Sequence, residues 1–340
     1  MDRKLASAQT VSAILPIEGA DSIELAQVEG WQVVVKKGEF QPGDLGVFLE
    51  IDSVPPDTEP FRFLWNKKPG EVVPRPANYR LKTCKLRGAL SQGLLLPLAT
   101  FGIVDCEPGT DLTEVLGVTK HEPPEGPYGF NSGSPGGNWP AFLPKTDETR
   151  IQNVLSCLEE LRGLPYVCTL KCDGTSATFA VAPDGEFLVC SRNQTKDRGD
   201  CVYWRMAAKY NLEEKLKLTP GLSIQAEICG PGIQKNKLSL KEHEIRVFNI
   251  LDRGRYLGHD VVAALCCAME LPMVDEIERG ESFEHSKETL LAMAEGKYPG
   301  TQNEREGIVV RPLEERYSPR LKGRLSFKVI SNRFLLKETD

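Results

Sequence analysis

The sequence predicts an all-β barrel domain followed by an α+β domain. Three observations predict this. Short β-prone runs separated by Gly, Pro and Asp turns fill residues 1–120, a Pro/Gly-rich stretch occupies residues 121–145, and strands and helices mix through residues 146–340. A chain of 340 residues also exceeds one ordinary core, on the usual scale of about 100–200 residues per domain.

Five strand-like runs come first: "KLASAQTVSAILPI", "SIELAQVEGWQVVVKK", "DLGVFLEI", "YRLKTCKLRG" and "GLLLPL". A small barrel is the natural closure for such runs. In "HEPPEGPYGFNSGSPGGNWPAFLPK", prolines and glycines are too frequent for a helix or strand, so a linker or long surface loop is expected. Trp139 and Phe142 are costly to leave in water and point to partial order there. The second domain should open with a helix over "TDETRIQNVLSCLEELRG", because Ile151, Val154, Leu155, Leu158 and Leu161 fall on one stripe and Thr146 or Asp147 is available as N-cap. Strands at "PYVCTLKCDGTSATFAVA" and "EFLVCSRN", a helix near "CVYWRMAAKYNLEEKLK" and strands at "GLSIQAEICG" and "EIRVFNILD" follow. Helices near "VVAALCCAME" and "KETLLAMAE" and strands "EGIVVRP" and "RLSFKVIS" complete the domain.

Composition narrows the setting. No apolar run approaches the ~18 residues of a membrane-spanning helix, and the N-terminus lacks a signal peptide's apolar core and cleavage site. No membrane association is expected. The ten cysteines form no C-x-x-C pair and no repeated spacing, which fits a reducing cytoplasm or nucleus better than disulfides or structural zinc. A net charge of −6 argues against nucleic-acid binding by bulk charge, yet "NYRLKTCKLRG" carries Arg80, Lys82, Lys85 and Arg87 without an acid. Between Arg316 and Arg333, six basic residues again occur with none, so two basic surfaces are expected.

"LKCDGTSATF" sets Lys171 in an otherwise apolar, β-prone run. A lysine in such a place must be paired, neutral or functional. Asp173 falls on the same strand face, while Glu227 in "QAEI" and Glu306 in "EGIVVR" interrupt otherwise apolar strands. Together the three carboxylates offer either salt-bridge partners or oxygen ligands for a divalent cation, direct or through its waters. No G-x-x-x-x-G-K-[ST] phosphate loop is present.

The ordered set "KCDG", "SRN", "AEICG", "RVFNI", "EGIVVR", "SFKVIS" resembles the covalent lysyl nucleotidyltransferases, the superfamily of ATP-dependent DNA ligases, RNA ligases and mRNA capping enzymes. The resemblance spans Arg150 to Ser331 and implies an α+β nucleotidyltransferase (adenylylation) domain. The barrel, through "GADSIELAQVEGW", "FQPGDLGVFLEID" and "KLRGALSQGLLLPL", resembles the OB-type barrels that bind tRNA and other nucleic acids, with Arg80, Lys82, Lys85 and Arg87 as the expected contact set. The resemblance implies that Lys171 attacks the α-phosphorus of ATP and that Lys328 acts behind the phosphate. It also implies nucleotide contacts from Arg150, Leu170, Arg192, Glu227, Phe248 and Lys328, with Phe248 stacked on the purine. Asp173, Glu227 and Glu306 would serve Mg²⁺ or Mn²⁺. Attack needs a neutral amine although lysine titrates near ~10.4, so the metal and Lys328 are expected to lower the Lys171 pKa. One position departs from the family: Ser326 stands where a first lysine is usual, and Lys322 or Arg324 are the expected substitutes.

A barrel ahead of a bare nucleotidyltransferase domain resembles the RNA ligases of the Deinococcus kind, which join 3′-OH to 5′-phosphate ends across a duplex nick. That implies a monomer acting on nicked duplexes with RNA at the 3′-OH end. Two alternatives stay open: a DNA ligase of unusual domain order, and a non-catalytic RNA-binding protein with a degenerate transferase domain, the latter resting on Ser326 alone.

Overall fold

The computed structural model describes residues 3–66, 68, 71–121 and 133–337. The chain divides into two compact units, Met1–Pro123 with Leu335–Asp340, and Pro124–Phe334.

In the first unit, a curled antiparallel sheet runs in the order Trp31–Lys36, Ile23–Val28, Ala6–Pro16, Leu45–Leu49, Leu94–Pro97. Alternation explains its burial. Trp31, Val33 and Val35 are buried with Val11, Ala26, Val28, Phe48 and Leu95 in one cluster, while Ala6, Ala8, Val47 and Leu49 join Phe61, Trp65 and Leu81 in another. The long first strand serves both neighbours by a register shift between Val11 and Ala13, which lets the sheet coil. A separate hairpin, Thr83–Leu86 with Ala89–Gln92, turns through Arg87 (φ 49) and Gly88 (φ 82). Two successive positive φ values mark the tight turn whose twist matches flanking strands. Gln32 Nε2 donates to the Leu90 carbonyl (2.8 Å) and the Val34 amide to Ser91 Oγ (3.0 Å), so the hairpin curls onto the edge strand.

The second unit holds two larger sheets. A seven-stranded antiparallel sheet runs Pro135–Asn138, Gln194–Lys196, Phe187–Cys190, Thr175–Val181, Leu222–Cys229, Glu244–Asp252, Arg255–Tyr256. A five-stranded sheet runs Thr149–Arg150, Phe327–Ile330, Gly307–Pro312, Tyr166–Lys171, Glu276–Gly280, antiparallel except for the first pair. The helices Val202–Lys209, Leu212–Leu218 and His259–Ala268 pack on the apolar face of the first sheet, made by Ala177, Phe179, Ile224, Ala226, Ile228, Ile245 and Val247. The alternate positions Thr178, Ser223, Gln225 and Asn249 are polar and still buried. Asn249 Nδ2 donates to Gln225 Oε1 (2.8 Å), and Gln225 Nε2 to the Pro144 carbonyl (2.8 Å). Gln225 and Asn249 are thus satisfied within this face, whereas the Thr178 and Ser223 hydroxyls are buried without a partner among the described residues.

Three expectations need correction. The helix over residues 146–163 is largely absent: Thr149–Arg150 pairs with Phe327–Lys328 in the sheet, a 3-10 turn covers Ile151–Asn153, and only Cys157–Leu161 is α-helical. The apolar stripe is buried all the same, with Ile151, Leu158 and Leu161 in the core under the five-stranded sheet. Helix period and a buried turn satisfy the same pattern, and sheet pairing at Arg150 decides between them. The helix near "CVYWRMAAKYNLEEKLK" is two helices, broken where Asn211 adopts φ 50. Within the Pro/Gly-rich stretch, residues 122–132 lie outside the described residues, but Pro135–Asn138 forms a strand. An edge position with proline first in the strand tolerates that composition. Trp139 Nε1 donates to the Leu143 carbonyl (2.7 Å), whereas Phe142 stays exposed.

Candidate active site

The K-x-D-G motif is the crossing between the two sheets. Lys171 is the last residue of its strand in the five-stranded sheet, and Thr175 the first of the next strand in the seven-stranded one. The motif glycine is required by space: a Cβ on Gly174 would lie 2.4 Å from the Ile228 carbonyl oxygen and 2.8 Å from Glu227 Cγ. Gly307, paired with Lys171, has φ 153, and its Cβ would lie 2.1 Å from the Val329 carbonyl oxygen. Both glycines let neighbouring strands close upon the lysine.

Lys171 Nζ donates to Glu306 Oε2 at 2.8 Å. Burial alone would lower the lysine's pKa, but Glu306, Glu227 and Asp173 outweigh it and raise the pKa above the ordinary value. The chain's own groups therefore hold Lys171 as an ammonium, and the lowering expected from a metal ion and Lys328 has these acids to overcome. Acids outnumber cations at this end of the site. Burial, with Glu306 and Asp173 nearby, pushes the Glu227 carboxyl up to about 8. Asp173 Oδ2 also lies 3.3 Å from Lys237 Nζ, which sits 3.5 Å from the centre of the Phe334 ring. Among the described residues no group of three His, Cys, Asp or Glu side chains is placed to hold a metal ion. Asp173, Glu227 and Glu306 surround Lys171 electrostatically without forming a preassembled ligand triad.

Basic side chains are also at hand. Lys328 is in register with Arg150 on one neighbouring strand and Val309 on the other. Burial, reinforced by Arg150 and Lys171, pushes the Lys328 amine down to about 7. Arg192, half-exposed, reaches Asp147 (2.5 Å), and Asp147 in turn favours the charged form of Lys328. Lys171 thus has both an acid cluster and the basic side chains Arg150 and Lys328 in its surroundings, the mixture a triphosphate and its counter-ions demand.

Phe248 is half-buried beside the apolar cluster of Leu170, Cys172, Cys229, Val274 and Tyr298. The Leu170 side chain is wholly within that cluster, and its amide donates to the Asp275 carbonyl (2.8 Å). Behind Phe248 lies the answer to Ser326. Arg311, buried, donates from Nε to Ser326 Oγ (3.0 Å), from Nη1 to the Phe248 carbonyl (2.9 Å) and from Nη2 to Glu148 Oε1 (2.8 Å). A guanidinium fills the space beside position 326, so Ser326 serves as its acceptor. Neither expected substitute takes that place: Arg324 is bound to Glu315 and Asn249 and lies over Tyr256, and Lys322 is exposed.

Sequence reasoning missed Glu148, Lys237, Arg311 and Tyr298. The Tyr298 hydroxyl donates to the Lys171 carbonyl (3.0 Å) and accepts from the amides of Asp173 (3.0 Å) and Glu306 (3.1 Å). Nothing in "KYPGTQ" signals this; only Arg311, inside "EGIVVR", had a local cue, as a charge ending an apolar strand. In the first unit, Lys82, Lys85 and Arg87 are exposed on or beside the hairpin, while Arg80 pairs with Asp52 (3.3 Å).

Residues 164–330 match the family model described as RNA ligase, and residues 5–98 one described as an OB-fold domain. The chain is similar to the Naegleria gruberi RNA ligase solved with PPi, at 36% identity over 100% of each chain and a TM-score of 0.87. A glutamate-to-alanine mutant of that ligase with ATP and Mn matches at 35% identity over 99% of this chain and 100% of that one, TM-score 0.87. Another, with AMP and Mn, matches at 35% identity over 99% of each, TM-score 0.86. No curated protein matches.

Proposed function

Because the chain belongs to the RNA ligase family, with an OB-fold domain ahead of its nucleotidyltransferase domain, we propose that it is an ATP-dependent ligase sealing 3′-OH/5′-phosphate nicks in duplexes through AMP carried on Lys171. The observation that carries this reading is the setting of Lys171 Nζ, 2.8 Å from Glu306 and acted on by Glu227 and Asp173, with Lys328 and Arg150 paired on adjacent strands of the same sheet.

In the first step, Lys171 Nζ forms a bond to the α-phosphorus of ATP, the bond to the bridging oxygen breaks, and pyrophosphate leaves with the electron pair. Glu306 Oε2 is the nearest acceptor for the proton that Nζ must lose. Lys328 and Arg150 favour negative charge on the phosphate oxygens, and Phe248, braced through its carbonyl by Arg311, stacks on the base. AMP then passes to a 5′-phosphate end, and the 3′-OH of the nick displaces it. Asp173, Glu227 and Glu306 offer a divalent cation three carboxylates gathered about Lys171, with Glu306 paired to Lys171 and Asp173 to Lys237. They would hold Mg²⁺ or Mn²⁺ chiefly through its waters. When bound, such an ion would add positive charge that favours the neutral amine of Lys171 and offsets charge on the phosphates. The exposed hairpin cations Lys82, Lys85 and Arg87 are the surface for a duplex backbone.

Incubation with each NTP and Mg²⁺ or Mn²⁺, followed by intact-mass measurement, tests the reading. ATP should add one AMP, and Lys171→Ala should abolish the adduct. An adduct that survives the substitution sinks the assignment, and a GMP adduct points to capping chemistry instead.

A further inference from the structure

We propose that Tyr298 is a positioning residue for the nucleophile, its one hydroxyl fixing Lys171, Asp173 and Glu306 relative to one another. A phenol offers one donor and two acceptor sites. Here all three are used, on the Lys171 carbonyl, the Asp173 amide and the Glu306 amide. The side chain is 1% exposed, so water does not replace these bonds.

The three bonded groups have separate origins. Lys171 ends its strand, Asp173 lies in the sheet-to-sheet crossing itself, and Glu306 immediately precedes the strand that pairs with Lys171. Tying all of them to one oxygen refers the lysine, its carboxylate partner and the motif aspartate to a common point. The loop that carries Tyr298 is itself pinned: its amide donates to the Asn303 carbonyl (3.0 Å), and its carbonyl accepts from the Thr301 amide (3.1 Å) and hydroxyl (3.1 Å). Asn303 Nδ2 then donates to the carbonyl of Lys237 (2.7 Å), the residue whose ammonium pairs with Asp173. The clamp therefore reaches Asp173 by two routes. Its ring lies in the apolar cluster with Leu170 and Cys172, so the ring packs while the oxygen aligns.

The proposal rests on Lys171 being the nucleophile. Removing the oxygen alone, by Tyr298→Phe in the full chain, keeps the packing and frees the crossing. A misplacement of about 1 Å at a reacting centre costs on the order of 100-fold in rate. In single-turnover AMP transfer at saturating ATP, Tyr298→Phe should slow adduct formation by roughly 10- to 100-fold while the ATP half-saturation moves less than about 3-fold. The fraction of chains finally adenylylated should be unchanged. Peptide hydrogen exchange should quicken at the Asp173 and Glu306 amides. A rate within about twofold of the unaltered chain, a smaller reactive fraction at unchanged rate, or unchanged exchange at those amides each overturns the proposal. If the unaltered chain takes no AMP on Lys171, the ligase reading falls, and the exchange arm still decides the clamp. Should Tyr298→Phe melt without cooperativity, Tyr298→p-aminophenylalanine, which keeps a polar atom on the ring, is expected at an intermediate rate; a rate equal to that of tyrosine refutes the need for the phenol oxygen.

Discussion

Replacing Glu148 by Gln would leave the Arg311 guanidinium buried without its counter-charge. Arg311 and Glu148 side chains are 8% and 14% exposed and meet at 2.8 Å, while Nε and Nη1 of the guanidinium donate to Ser326 and the Phe248 carbonyl. Removing one partner of such a pair costs about 3–5 kcal/mol. Glutamine keeps an acceptor oxygen and Glu315 still acts on Arg311, which places the expected loss near the lower end, about 3 kcal/mol. At about 2–4 °C per kcal/mol for a unit of this size, Tm should fall by roughly 6–12 °C. The pH dependence has a definite sign. Burial alone would raise the Glu148 carboxyl, but Arg311 and Arg324 outweigh it and hold the pKa below the ordinary 4.5. A depressed folded-state pKa gives stability that is complete above the unfolded value and is lost as pH falls through the folded one. The Tm gap between the two proteins should stay constant from about pH 7 to about pH 5 and close further down. Calorimetry of the full chain measures it. A gap under about 2 °C at neutral pH, or one that widens on acidification, refutes the reasoning. Replacing Glu148 and Arg311 together by methionine should be less damaging than Glu148→Gln, because no charge is then stranded.

Two further outcomes concern the nucleic acid. Changing Lys82, Lys85 and Arg87 together to Ala should reduce the slope of log affinity against log salt by about 3 in duplex-binding titrations, while AMP transfer to Lys171 keeps its rate; an unchanged slope would remove the hairpin from the interface. Sealing of pre-adenylylated nicks should depend on the sugar at the 3′-OH side, because a ribose terminus offers A-form shape and a 2′-OH. Equal rates for ribose and deoxyribose there, measured on duplexes differing at no other position, would favour a DNA ligase instead.

The motif acids and Lys171 were legible because each stands out against its own strand: a charge amid apolar neighbours needs only local sequence to be noticed. Arg150 and Lys328 were found by resemblance, and their adjacency depends on a parallel strand pair that no local pattern announces. The helix expected around Val154 and Leu155 failed because periodicity reports burial, whereas backbone pairing at Thr149–Arg150 fixes the conformation. Ser326 read as a deficit since sequence shows what a position lacks but not what lies against it; Arg311, on the neighbouring strand, fills the place. Tyr298 was invisible for the opposite reason. Its role is carried by one oxygen meeting main-chain groups, and main-chain groups leave no trace in residue identity.

The crossing at K-x-D-G has a bearing on biosynthesis. Lys171 meets Glu306 across 135 positions of sequence, and the strand that carries Lys328 is the last of its sheet to be made. Contacts so distant in sequence form slowly, after the entropy of closing the intervening chain has been met. A nascent chain therefore displays its lysine motif long before that lysine has partners, and one cut short of Phe327–Ile330 never completes the site. Capacity to accept a nucleotide would then certify that the chain has been made and folded through Phe327–Ile330, without any separate check.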